Sequence, residues 1–151
     1  MRFPELESKN LLGDALTLPQ DFAGTWNVVL VAFQRWQQAQ VDTWLPFLEQ
    51  LTTDRQDVQY YELPVIERMN FLARGFINQG MRMGIRDEAA LRRTITLYLD
   101  KAAFREALQM PDEDEIYVLL VDDTGEVIWR TRDSYTAEQG EALQAWIEAG
   151  R

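Results

Sequence analysis

The stretch Trp26 to Phe33, WNVVLVAF, constrains this chain more than any other segment. It is almost continuously apolar and β-branched in its middle, the pattern of a strand covered on both faces. After it, Val41, Trp44, Leu45, Leu48 and Leu51 recur at steps of three and four, so Trp36 to Leu51 reads as an amphipathic helix. Pro46 falls inside that helix, and its missing donor and ring clash predict a kink near Asp42 to Pro46.

The remaining pattern alternates in the same way. Ala15 to Leu18 reads as a short strand before a turn through Pro19 and Gly24, and Asp57 to Leu63 as another strand. Pro64 suits the first turn of a long helix to about Met81. Thr94 to Leu99 is a strand and Lys101 to Leu108 a short helix stopped by Pro111. Ile116 to Val121 and Glu126 to Thr131 flank Asp122-Asp123-Thr124-Gly125 as a hairpin. Thr136 then caps a last helix with the stripe Leu143, Trp146 and Ile147. The order β-β-α-β-α-β-α-β-β-α implies an α/β fold: a three-layer sandwich with a mixed central sheet and a C-terminal β-hairpin.

At 151 residues one domain, 1–151, is expected, long enough to bury a core unaided. The net charge of -10 opposes nucleic acid, whose binding relies on Lys and Arg against phosphate. The chain has no cysteine and no histidine. That removes thiolate and imidazole nucleophiles, their zinc sites, histidine-ligated haem and iron-sulfur ligation, and no cofactor is expected. No apolar run approaches the roughly 20 residues of a membrane-spanning helix. Met1 to Asn10 lacks the apolar region of a secretory signal, so a cytoplasmic location is expected.

Gly24 to Leu51, with its buried strand, following helix and Pro46, resembles the segment of thioredoxin-like redoxins where a strand enters the catalytic helix. IYVLLVDDTGEVIWRT followed by a helix resembles their final hairpin. The resemblance implies a thioredoxin-like fold. Counting from Phe33 to Pro46, the two CxxC positions fall on Gln38 and Val41; anchoring on Trp36 moves them to Gln37 and Gln40. The position of the redoxin cis-proline, which shapes the substrate groove, falls near Ile116. The resemblance therefore implies a redox-inactive domain. A narrower likeness is to a cysteine-poor branch similar to the mitochondrial ATP-synthase assembly factor, resting on DVQYYELPVIERMNFLARGFINQGMRMGI, TITLYL and YVLLVDDTGEVIWR. That branch implies action by holding partners.

Several clusters are candidate sites. Arg68, Arg74, Arg82, Arg86, Arg92 and Arg93 crowd together against Glu67, Asp87 and Glu88, either a docking patch for an anionic ligand or acidic partner or a solvated helix face. Ile66, Met69, Phe71, Leu72, Phe76, Ile77, Met81 and Met83 cover more circumference than one core stripe needs, which suits either core or interface. Asp112 to Glu115 lacks the ligand spacing of a calcium loop and reads as a solvated loop. Trp36 and Trp44 flank the vacated thiol position, as an aromatic pocket or as core filling. Two functions follow: a protein-binding module using Trp36, Gln38, Val41, Arg68, Arg74, Arg82 and Ile116, or a thiol-independent enzyme or small-ligand binder using Trp36, Gln38 and nearby arginines. Homodimerisation through an edge strand or the middle helix is compatible with both.

Overall fold

The computed structural model describes residues 1–68 and 87–150. Seven strands form one sheet: β1 (Leu6–Asn10), β2 (Ala15–Leu18), β3 (Trp26–Ala32), β4 (Val58–Glu67), β5 (Ile95–Leu99), β6 (Tyr117–Asp122) and β7 (Val127–Arg132). Their order is β2-β1-β5-β4-β3-β6-β7, with β3 in the interior between β4 and β6, as its apolar run requires. The β3/β4 and β4/β5 pairs are parallel and the others antiparallel. The helices are α1 (Gln38–Asp54), α2 (Glu88–Arg93), α3 (Lys101–Ala107) and α4 (Ala137–Ala149), and one 3-10 turn, Arg35–Gln37, leads into α1.

Alternation along the central strands divides two cores. On one face Val28, Leu30, Val58, Tyr60, Val118 and Leu120 pack under Val41, Trp44, Leu48 and Leu51 of α1 and Leu143 and Ile147 of α4. On the other, Val29, Val31, Leu63, Val65 and Leu119 meet Phe104 and Leu108 around α3, with Phe3 and Phe22 from the N-terminal segment. This is the expected three-layer sandwich with a mixed sheet and a C-terminal hairpin. Thr136 caps α4 as expected, its hydroxyl accepting from Gln139 N–H at 3.2 Å.

Two expectations change. Leu6–Asn10 forms a strand that its charged sequence concealed, because only alternate residues face the core. Pro46 lies inside α1, as expected. Pro64 does not open a helix; it lies inside β4, which runs four residues beyond Leu63. The β3 ladder ends at Ala32 opposite Pro64, whereas β4 pairs with β5 from Val65 to Glu67. Proline, lacking an N–H, thus stands where β3 leaves the sheet. The rest of the expected middle helix, from Met69 onward, and with it Arg74 and Arg82, lies outside the described residues.

Candidate functional site

The strand-to-helix loop from Phe33 to Gln40, QRWQQAQ after Phe33, contains glutamines 34, 37, 38 and 40. Gln37 is fully buried. Its Oε1 accepts from the backbone N–H groups of Phe33 at 2.8 Å and Gln34 at 3.2 Å. Its Nε2 donates to the carbonyl of Glu113 at 2.6 Å, tying the loop to the segment before β6. Gln34 Nε2 adds a bond to Glu113 Oε1 at 2.8 Å. Gln40 closes the same side: its Oε1 accepts from Ile116 N–H and its Nε2 donates to Asp133 Oδ1, both at 3.1 Å.

The acidic segment before β6 is accordingly more ordered than a solvated loop. The Glu113 carboxylate lies 2.9 Å from Lys101 Nζ and 3.5 Å from Arg105. Asp112 pairs with Arg132 at 2.6 Å, and that hydrogen bond holds the Asp112 carboxyl below its ordinary range.

On the opposite side of the loop, among the described residues, the side-chain bond from the loop to β4 is that of Gln38 to Glu62. Because β3 stops at Ala32 while β4 continues, a cleft of about 400 Å³ opens between them, lined by Ala32, Phe33, Gln34, Arg35, Gln38, Pro64, Val65 and Ile66. The volume lies toward the lower end of ligand sites, roughly 300–1,000 Å³. Next to it, on the 3-10 turn, Trp36 is 57% exposed. Gln38 Nε2 reaches Asp42 Oδ1 at 2.9 Å and Glu62 Oε1 at 3.3 Å across the rim. Burial pushes the Glu62 carboxyl up, partly offset by the Gln38 bond, with Asp42 raising it further and Arg93 lowering it. Arg93 itself donates to the Tyr60 hydroxyl at 3.1 Å and lies over its ring at 4.5 Å.

The residues singled out from sequence separate accordingly. Trp36 and Gln38 stand at the surface beside the cleft, and Arg68 is exposed two positions beyond Ile66. Val41 and Ile116 are 2% and 0% exposed, so their side chains are core and face no solvent. Trp44 is also buried, its indole Nε1 donating to the Asp133 carbonyl at 3.0 Å. Sequence reasoning missed Gln34, Arg35 and Glu62, named Gln37 and Gln40 only as thiol positions in one register, and gave Pro64 a helical role. The one signal available was four amides crowded into a seven-residue turn.

Fold and site together define a thioredoxin-like domain without cysteine. The sequence matches the ATP10 protein family over residues 1–148, and the chain belongs to that family of ATP synthase assembly factors. No curated protein sequence matches it. Among solved structures, yeast Sco1 is similar with a TM-score of 0.64 at 10% identity, covering 98% of this chain and 95% of that one. A thiol-disulfide oxidoreductase from Bacteroides fragilis gives 0.62 at 10% identity, over 97% and 99% of the two chains. The exposed lipoprotein thioredoxin Etrx1 of Streptococcus pneumoniae gives 0.58 at 15% identity, over 96% and 99%. At these identities the likeness is one of fold. Among the described residues no helix is long and apolar enough to cross a membrane.

Proposed function

We propose that this domain acts by binding a protein partner in an assembly process, without thiol redox chemistry, and that the partner docks beside the 33–38 loop. The observation that carries this reading is the conversion of the loop: Gln37 spends its buried amide on backbone groups, where a redox site would need a reactive sulfur. A thiolate is the nucleophile of disulfide exchange, and carboxamides do not replace it. Membership of the ATP10 protein family supports protein partners. The open cleft beside an exposed tryptophan supports docking over enclosure of a small ligand, since a large aromatic side chain left in solvent is a usual interface anchor.

The test compares the wild-type chain with Trp36→Ala in affinity capture from the native host, alongside insulin reduction by dithiothreitol. The reading expects a specific protein that is retained by the wild type and lost from the variant, with no acceleration of insulin reduction. Thiol-exchange turnover, or a partner held equally by both proteins, contradicts it.

A further inference from the structure

We infer that the cleft between the end of β3 and the extension of β4 receives a peptide segment in which an apolar side chain is followed by a carboxylate, with the carboxylate meeting Arg35. The inference rests on the protein-binding reading and names the chemistry of the partner. It also places docking on the β4 side of the loop, away from the groove that the redoxin likeness implies near Ile116.

The β6 side has no backbone donor to offer at that point. Ile116 N–H, which stands where a redoxin groove would lie, is taken by Gln40 Oε1, and the Ile116 side chain is buried. The Gln37 and Gln34 bonds to Glu113 fasten the same flank. On the β4 side the walls are apolar: Ala32, Phe33, Pro64, Val65 and Ile66. A space of about 400 Å³ suits one or two side chains, and burying them supplies the non-directional part of the affinity.

Charge then selects among apolar segments. Arg35 lines the cleft, is exposed, and forms no ion pair among the described residues. Arg68, also without an ion pair there, continues β4 two residues past Ile66, and strand alternation places it on the same face as Ile66. The nearby acids already have partners: Glu62 and Asp42 are both bonded to the Gln38 amide, and Glu67 Oε2 accepts from Arg68 N–H at 3.2 Å. In a chain of net charge -10, a cleft with unpaired guanidinium groups at its edge is locally complementary to a carboxylate.

The experiment titrates the isotope-labelled full chain with two capped peptides, Gly-Leu-Phe-Asp-Glu-Gly and Gly-Leu-Phe-Lys-Lys-Gly, following amide resonances at 150 mM salt. The acidic peptide is expected to shift resonances of Ala32 to Gln38 and of Val65 to Ile66, and to bind about threefold to fivefold tighter than the lysine peptide, the increment of one exposed ion pair. Arg35→Gln, an exposed change that leaves the fold intact, should abolish that preference while retaining apolar binding, and Arg35→Glu should reverse it. Equal or tighter binding of the lysine peptide overturns the chemistry assigned to the occupant, leaving the protein-binding reading in place. Shifts confined to Glu113 to Ile116 overturn the location. If neither peptide binds while a captured partner depends on Trp36, this inference falls and that reading stands.

Discussion

The two flanks of the segment from Phe33 to Gln40 share the same eight residues, yet they differ in how their polar groups are used. Toward β6, Gln34, Gln37 and Gln40 engage the backbone of Glu113 and Ile116 and the carboxylates of Glu113 and Asp133. Toward β4, the loop meets Pro64, Val65 and Ile66 across open space, with Arg35 unpaired. Side-chain amides are thus well suited to replacing a reactive site with a fixed surface: each supplies a donor and an acceptor without charge, so a buried loop can be satisfied completely. The difference teaches that a loop without thiols is not a blank site. One flank became internal structure and the other stayed accessible.

The sharpest way to break this contrast is Gln37→Ala. It strands two backbone donors and one carbonyl in a buried place, and should cost about 2–4 kcal/mol in urea unfolding, since each unsatisfied group costs about 1–3 kcal/mol before relaxation. A loss under 1 kcal/mol would show that the amide does not hold the flank. Gln40→Ala, at a half-buried position, should cost less, about 1–2 kcal/mol, and should also speed hydrogen exchange at Ile116 N–H. Unchanged exchange there would reopen the β6 side as a docking groove.

Glu62 sharpens the other flank through its pH dependence. Its carboxyl is raised in the folded state, chiefly by burial, so the native protein holds that proton more tightly than the unfolded chain does. Ionising it therefore costs stability as pH rises through the folded pKa, and the cost vanishes below the unfolded value of about 4.3. Glu62→Gln should raise Tm at pH 7, with the gain shrinking as the pH is lowered to about 4. A pH-independent gain would refute the electrostatic account. Smallest in stability is Trp36→Ala, which should change unfolding free energy by no more than about 0.5 kcal/mol because the ring is in solvent. A large destabilisation would mean that Trp36 packs against the body of the fold and is not an interface anchor.

Much of the fold was legible because strongly periodic segments announce themselves. WNVVLVAF, IYVLLV and the stripe of α1 carry the central sheet and one of its covering layers. Pro64 was misread because the rule that favours proline in a first helical turn competes with its tolerance where a strand loses a neighbour, and only the β3/β4 register reveals the second case. Strand β1 escaped notice because Glu7 and Lys9 face solvent while Leu6 packs against the core. The site was less legible than the fold. Counting residues gave two registers for the thiol positions, and it could not show that Gln37 points inward and Trp36 outward. That distinction belongs to the 3-10 turn, Arg35–Gln37, which rotates successive side chains by about a third of a turn. Likewise the cleft follows from unequal strand lengths, a tertiary fact that neither strand encodes alone.

The most direct test of the central claim is photo-cross-linking with benzoylphenylalanine placed singly at Gln38, on the rim of the cleft, and at Asp114, on the β6 flank, both exposed positions. The account predicts that the partner captured from the native host is cross-linked from position 38 and not from position 114. Cross-linking from 114 alone would contradict it.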